Sequence, residues 1–240
     1  QGNQLFYLNL KFGPPAQLTQ FGFTGNDLTC IETLDPVYAT ENWTSDNGDI
    51  DEGVTFDVIC GSEARTHWYV ATTGSDISGS GTLTSPLANI QTAINTSTRS
   101  PQYDTVSVAA GTYVENINFS GKNIAVIGAD RETTIIDGDS SGTVVTFNNG
   151  ESSTAVLSGF TLQNGYEAGG GGIFCFYSSP TLNNLTISGN LASLGGGGIY
   201  LTGSDPTLTN VIISGNTAGN YVGGIYLLSS NPTLTNVTIS

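Results

Sequence analysis

Residues 171–190 read GGIFCFYSSPTLNNLTISGN, residues 197–216 read GGIYLTGSDPTLTNVIISGN, and residues 223–240 read GGIYLLSSNPTLTNVTIS. This sequence pattern returns every 26 residues, so Pro180, Pro206 and Pro232 occupy equivalent positions. A fixed period of this size is typical of solenoids, in which each unit buries its apolar side against its neighbours. The repeat therefore predicts a solenoid, and any function must lie on a repetitive surface.

Composition points to strands. The 240 residues include 32 Gly, no Met and only 10% charged residues. Few of the long side chains that favour helices are present, and the abundant Ser, Thr and Asn suit short strands and tight turns. We expect an all-β protein.

The charge balance is strongly acidic, with a formal net charge of -15 and only five Lys plus Arg. Ten of the twenty acidic residues lie between Asp27 and Glu63. Nucleic acid is not an expected partner, because binding it requires a basic face. No apolar run is long enough to span a membrane, so no transmembrane segment is predicted.

The two ends of the sequence look like cuts within a longer protein. Gln1 is not followed by a signal-like segment, and Ser240 stops inside a repeat whose two earlier copies continue with Gly-Asn. We expect further solenoid coils or domains at both ends.

Three cysteines permit one disulfide bond. Cys175 takes the position that Leu201 and Leu227 hold in later repeats, which predicts a buried thiol. Cys30 and Cys60 bracket the acidic segment, and we expect them to be paired in an oxidising, extracytoplasmic setting.

The start of the chain carries the leucine-rich repeat pattern in Leu5-x-x-Leu8-x-Leu10 and again in Leu18-x-x-Phe21-x-Phe23-x-x-Asn26-x-Leu28. The segment from Cys30 to Cys60 resembles the closing cap of secreted bacterial leucine-rich repeat proteins, in which two cysteines seal the open end. The resemblance implies that residues 1–60 are the end and cap of such a domain, and that residues 61–67 are a junction.

A second domain is expected over residues 68–240. Ser85 and Pro86 suit the N-cap and first position of a helix, whose apolar face would plug the end of the solenoid. Short strands separated by turn residues follow it. They are predicted at residues 105–109, 113–119, 123–127, 133–136, 143–147 and 155–162.

Four stretches carry a resemblance to right-handed parallel β-helix proteins. They are WYVATTGSD (68–76), SPLANIQTAIN (85–95), DTVSVAAGTYVENINFSGKNIAVIGA (104–129) and TTIIDG (133–138). This superfamily includes pectin esterases, pectate lyase-like enzymes and many surface proteins. The Gly-Gly-Ile and Ser-Gly-Asn repeats also resemble those of bacterial polymorphic outer-membrane and adhesin-like proteins. The resemblance implies a right-handed parallel β-helix for residues 68–240.

Each repeat divides into three predicted strands: Gly-Gly-Ile-Tyr-Leu, Pro-Thr-Leu-Thr-Asn and Val-Ile-Ile-Ser-Gly-Asn. Stacked at about 4.8 Å, they would place identical residues in ladders. Corner positions with a left-handed backbone are predicted for Asn184, Asn210 and Asn236 and for Asn190 and Asn216. The inward ladders are predicted to be Ile173/Ile199/Ile225, Cys175/Leu201/Leu227, Leu182/Leu208/Leu234, Leu185/Val211/Val237 and Ile187/Ile213/Ile239.

Strand alternation turns Phe174, Tyr200 and Tyr226 outward, as a row of aromatic faces for sugar rings or a protein partner. Packing of this row under a loop or inside the core is the alternative. These three residues are the candidate ligand-binding residues.

A second outward row contains Thr181, Thr207 and Thr233. It resembles the flat arrays of ice-binding solenoids, although Asn183 interrupts the companion row of Thr209 and Thr235. Ice binding is therefore a minor alternative.

The repeats lack the residues of known β-helix enzymes. From Ser152 to Ser240 there is no Lys, Arg or His, and Glu167 and Asp205 are the only acids. A lyase needs a base and a glycosidase needs two opposed carboxylates. The catalytic motifs of pectin esterases find no match, and His67 has no candidate partner in the sequence.

The acidic run containing Asp46, Asp49, Asp51 and Glu52 is a weak calcium candidate, with a solvated loop as the alternative. No other cofactor is expected. The sequence thus predicts a non-catalytic scaffold or adhesin, secreted or on a bacterial cell surface, that binds an extracellular glycan or protein. The alternative is a polysaccharide lyase or glycoside hydrolase whose catalytic residues lie in coils outside this sequence.

Overall fold

The structure is a computed structural model that describes residues 5–11, 22–61, 65–97 and 104–240. It is mostly β, a parallel β-solenoid of about 8 turns, as expected. No helix in these ranges is long and apolar enough to cross a membrane. The described residues form two helices, α1 (Pro36–Asn42) and α2 (Ile90–Thr96).

The strands are short, and the strand pairs seen in the described part of the chain are all parallel. Their bounds are β1 (Leu8–Asn9), β2 (Cys30–Glu32), β3 (Thr55–Asp57), β4 (His67–Val70), β5 (Thr105–Val108), β6 (Gly111–Val114), β7 (Ile117–Asn118), β8 (Ala125–Gly128), β9 (Thr134–Asp137), β10 (Val145–Phe147), β11 (Val156–Gln163), β12 (Tyr166–Gly169), β13 (Ile173–Phe176), β14 (Thr181–Ser188), β15 (Leu191–Gly195), β16 (Ile199–Thr202), β17 (Thr207–Ser214), β18 (Thr217–Ala218), β19 (Ile225–Leu228) and β20 (Thr233–Ile239).

The N-terminal strands β1, β2 and β3 form a three-stranded parallel sheet of their own. Leu8 pairs with Ile31, and Ile31 pairs with Phe56. Ile31 is fully buried in a small apolar core beside the sheet. The predicted disulfide between Cys30 and Cys60 is confirmed, whereas the predicted repeat positions 18 and 21 lie outside the described residues.

Three further sheets build the rest of the solenoid. The long sheet follows the order β20-β17-β14-β11-β8-β5-β4, with β9 paired to β11 and β6 paired to β9. A five-stranded sheet has the order β19-β16-β13-β10-β7. A three-stranded sheet, β12-β15-β18, is called the flanking sheet below.

The inward ladders are confirmed by the strand register. Ile199 lies between Ile173 and Ile225, and Leu208 lies between Leu182 and Leu234. Members in the inner turns, including Cys175 and Leu201, have no exposed surface. Those of the last turn have a neighbouring turn on one side only, so Leu234 is 47% exposed. Burial raises the pKa of the Cys175 thiol, as expected for a core residue.

The three-strand prediction for each repeat was wrong in one respect. Residues 207–214 form a single strand, β17, which bends at Asn210 with φ of 55°. One left-handed residue turns the chain there, and the pairing with the next turn resumes in the same register beyond it, since Thr209 pairs with Thr235 and Val211 pairs with Val237. The third strand of these turns is instead the flanking-sheet strand, for example Leu191–Gly195, a segment to which the sequence analysis assigned no strand.

The corner asparagines are confirmed in part. Asn184, Asn210 and Asn236 have φ between 50° and 55°, as predicted. Asn190 and Asn216 do not, because the preceding Gly189 and Gly215 take the left-handed conformation. The side-chain amide of Asn190 is buried, and its Nδ2 donates to Leu162 O (3.1 Å) and to Asn216 Oδ1 (3.0 Å).

A serine ladder fixes another corner. The backbone N–H of Ser178 donates to Ser204 Oγ, and the N–H of Ser204 donates to Ser230 Oγ, each at 3.1 Å. The first hydroxyl of the series donates to the buried carboxylate of Glu151 at 2.8 Å. Because every turn supplies the same bond, the corner keeps one geometry.

Helix α2 begins later than predicted. It starts at Ile90, with Asn89 as N-cap and no side-chain hydrogen bond from that residue. The carboxylate of Glu115 accepts from the N–H groups of Ile90 (2.9 Å) and Gln91 (3.0 Å) instead. Since a carboxylate suits a helix N-terminus, this residue supplies the cap that was assigned to Ser85.

The strand predicted at residues 113–119 is two strands in different sheets, because the chain turns at Glu115 and Asn116.

The predicted apolar face of helix α2 is confirmed. Ile90 and Ile94 are fully buried against the first turns of the solenoid.

Candidate binding groove

An aromatic row crosses three turns of the five-stranded sheet. Phe174 in β13, Tyr200 in β16 and Tyr226 in β19 occupy the same register position. Their ring centroids are 5.8 and 4.9 Å apart. The neighbouring Ile199 and Leu201 are fully buried, whereas all three rings are half-exposed. The row therefore faces outward, and its role in binding stays a prediction.

The rings do not present a row of free faces. Tyr200 and Tyr226 are stacked with an interplanar angle of 26°, so their facing sides contact each other. Phe174 is tilted by 46° from Tyr200, and Tyr221 is tilted by 44° from Tyr226. These two pairs are therefore not stacked face to face, and all four residues line the groove. A ligand in the groove would contact the exposed part of each of these side chains.

The flanking sheet gives the row a second wall. Gly169 in β12 lies against Tyr200, since a Cβ added there would be 3.0 Å from the ring atom Cδ2. Tyr221, which precedes β19, has its ring centroid 5.1 Å from that of Tyr226. The two walls enclose a groove of about 910 Å³, which Leu194 also lines.

Sequence reasoning missed the rim of this groove. Phe176, Thr202 and Leu228 are in register two positions after the aromatic row. Alternation places them on the same face as the row, so the period of two could have found them. The ring of Phe176 is 6.3 Å from that of Phe174 and nearly parallel to it, at 16°. This rim widens the apolar surface of the groove.

Tyr221 was also missed, although the repeat carries a signal for it. It stands one repeat after Gly195 and two repeats after Gly169, at a position that is glycine in both earlier turns. A Cβ on the first of these glycines would be 2.9 Å from Tyr221 Cβ, which confirms the alignment. An aromatic residue that replaces a repeated glycine thus marks the wall.

Glu167 is the one charged side chain among the described residues that line the groove. It is exposed, and its Oε1 accepts from the N–H of Ala168 at 2.8 Å. Asn116, Thr143 and Thr146 supply neutral polar groups. The groove is therefore apolar and aromatic, with hydroxyl and amide groups and one negative charge.

The threonine row lies in the long sheet. Thr207 pairs with Thr181 on one side and with Thr233 on the other, and the first two are half-exposed. The hydroxyl of Thr181 donates to Ser153 O at 2.8 Å. Ice binding by this row stays a prediction, which an assay of thermal hysteresis tests.

Two of the four acidic calcium candidates accept local hydrogen bonds. Asp51 accepts from the N–H groups of Gly25 (3.0 Å) and Asn26 (3.1 Å). Asp49 accepts from the N–H of Thr44 at 3.2 Å. In the described ranges, no three His, Cys, Asp or Glu side chains form a group that could hold a metal ion. Calcium binding by residues 46–52 stays a prediction for calorimetry.

His67 has partners that the sequence did not reveal. Its Nε2 is 2.8 Å from Ser107 Oγ on the adjacent strand, and its ring stacks on Tyr69 at 4.6 Å. The expectation of a lone histidine was wrong, because parallel pairing brings together two residues that are far apart in the sequence. Tyr69 and Ser107 also line a smaller depression of about 400 Å³, beside Ile127.

Comparisons with known proteins add no family. No protein-family model matches the chain, and a search of curated proteins finds no match.

Proposed function

We propose that this protein is a non-catalytic scaffold, secreted or at the cell surface, that binds an extracellular glycan or protein along the groove of the five-stranded sheet. The observation that carries the proposal is the in-register row of Phe174, Tyr200 and Tyr226 along a groove of about 910 Å³. Apolar concave surfaces with a few polar groups are the usual form of a binding site.

The geometry of a solenoid supports an extended ligand. Thr146 in β10 pairs with Phe174, so the groove crosses four consecutive strands of the sheet, up to Tyr226. At about 4.8 Å per strand this is roughly 14 Å along the solenoid axis. That length suits several sugar units or residues of a chain better than one small molecule.

The disulfide supports an extracytoplasmic location. Disulfides persist in oxidising compartments and are rare in the cytosol. The bond between Cys30 and Cys60 joins the ends of the acidic segment. We propose on this ground that the protein works outside the bacterial cytoplasm.

The proposal includes the two resemblances seen in the sequence, to the cap of a leucine-rich repeat domain and to right-handed β-helix proteins. The parallel stack of β1, β2 and β3, with Leu8, Ile31 and Phe56 in register, supports the end and cap of a leucine-rich repeat domain in residues 1–60. The parallel stack of the remaining turns supports a right-handed β-helix of the pectate lyase-like or adhesin-like type over residues 68–240.

The experiment is a binding screen with a paired variant. The wild type and the double variant Tyr200→Ala, Tyr226→Ala are applied to a glycan array and to immobilised extracellular proteins. Ligands that bind the wild type are expected to bind the variant at least about tenfold more weakly. Equal binding by a variant that keeps its melting temperature would refute the groove as the binding face.

A further inference from the structure

We propose that the occupant of the groove is a basic segment of a protein partner, an extended peptide whose arginine or lysine side chains lie against the rings and Glu167. The inference rests on the proposed function and names the class of ligand for the same groove. Charge, ring chemistry and groove length each support it.

Charge selects a cation. The one ionised side chain lining the described groove is Glu167, which is exposed and accepts only from its own neighbour's backbone. The sequence from 152 to 240 contains no Lys, Arg or His that could compensate its two acids, Glu167 and Asp205. An uncompensated carboxylate at the edge of a concave apolar surface attracts cations and disfavours anionic ligands such as uronate chains.

The groove surface suits a guanidinium or ammonium group. The faces of aromatic rings carry negative electrostatic potential and attract cations within about 6 Å of the centroid. The pairs Phe174–Tyr200 and Tyr221–Tyr226 line the groove and are tilted by 46° and 44°, so they are not stacked face to face. The hydroxyl oxygens of the tyrosines and of the lining threonines accept hydrogen bonds from the same cation.

Length selects a peptide over a free small cation. The lining runs from Thr146 to Tyr226 across four strands, or roughly 14 Å. A quaternary ammonium headgroup would fill only a small part of about 910 Å³. An extended chain covers the same distance with about four residues and places alternate side chains on one face.

The test compares arginine with its neutral counterpart. Three capped pentapeptides have glycine at the odd positions and arginine, citrulline or glutamate at the second and fourth positions. Citrulline keeps the shape of arginine without its charge. Binding to the full chain is measured by calorimetry at low and at physiological salt. We expect the arginine peptide to bind at least about tenfold more tightly than the citrulline peptide, and more weakly as salt rises.

Charge-matched variants separate the groove from general attraction to an acidic protein. Tyr200→Ala with Tyr226→Ala leaves the net charge at -15 and is expected to weaken the arginine peptide about tenfold. Glu167→Gln is expected to weaken it about threefold. The matched control is Glu41→Gln, an exposed acid in the distant helix α1, and it should have no effect.

Three other results would each overturn the inference, and they can be told apart. Equal binding of the citrulline peptide, lost in the tyrosine variant, would refute a cationic ligand and leave the groove as the binding face. Arginine binding that falls equally in Glu41→Gln and Glu167→Gln would show non-specific attraction. No binding of the arginine peptide to the wild type would also overturn the inference. Melting curves of each variant show that it is folded.

Discussion

Two rows of outward side chains on the solenoid have the same repeat and register but different surroundings. The aromatic row and the threonine row both recur once in each repeat, and both are in register from turn to turn. Of these two rows, the aromatic row is the one seen beside the flanking sheet in the described residues. Gly169 of that sheet lies against the ring of Tyr200, and the nearby Tyr221 lies against the ring of Tyr226. A regular row of outward side chains therefore forms a surface, and a strand that packs beside the row turns that surface into a groove.

The largest expected effect tests whether the two rows share one core. Leu201 lies beneath the aromatic face and Leu208 beneath the threonine face, exposed by 0% and 1%. Replacement of either leucine by alanine should lower the free energy of unfolding by about 2–5 kcal/mol, because each leaves a cavity in the same column. Urea denaturation measures both variants, with Thr209→Ala as a control expected within about 0.5 kcal/mol of the wild type. A stable Leu201→Ala protein beside an unfolded Leu208→Ala protein would break the equivalence.

The second prediction separates the rows by binding. Thr207→Ala with Thr233→Ala should leave the dissociation constant of the arginine peptide within about twofold of the wild type. Tyr200→Ala with Tyr226→Ala should raise it about tenfold, equal to about 1.4 kcal/mol. Calorimetric titration of both double variants provides the comparison. A greater loss in the threonine variant would place the ligand on the long sheet.

The third prediction concerns the wall. Gly169→Ala places a methyl group 3.0 Å from Tyr200 Cδ2, so the ring must shift by a few tenths of an ångström. We expect the dissociation constant to rise about threefold, with a stability loss under about 1 kcal/mol. Gly22→Ala is the matched control, because no heavy atom lies within 4 Å of its added Cβ. Unchanged affinity in Gly169→Ala would show that the wall does not shape the groove.

The smallest effect lies at the corner between the long sheet and the flanking sheet. Burial raises the pKa of Asp137, but hydrogen bonds from Gln163, Asn164 and the backbone of Asp139 outweigh it and lower the pKa. Because the folded pKa is below the unfolded value, the carboxylate stabilises the fold above about pH 4, and this contribution is lost as pH falls through the folded pKa.

Asp137→Asn should therefore flatten the acid limb of the stability profile. Urea midpoints of the two proteins between about pH 2 and 6 should converge as pH falls, since protonation removes the advantage of the carboxylate. A constant gap between the two proteins across this range would contradict the assigned role.

Much of the fold could be predicted because repetition makes register visible. Pro206 and Ile199 recur at one spacing, so the inward ladders and the aromatic row follow from alternation alone. The pairing of Cys30 with Cys60 followed from the position of Cys175 in the core.

The rest depends on contacts that no local pattern encodes. Glu115 caps a helix that begins well before it in the sequence, so Ser85 was chosen wrongly. The flanking strand Leu191–Gly195 is rich in small residues and resembles a turn, which hid the second wall. His67 and Ser107 meet only because the solenoid closes a turn between them.

The most direct test of the groove is a map of amide chemical-shift changes in the uniformly labelled protein as the arginine peptide is added. The largest changes should cluster in residues 166–176, 194–202 and 221–228, the strands that carry the rings and the wall. Changes centred on residues 46–52 or on the threonine row, with the aromatic strands unaffected, would contradict the account.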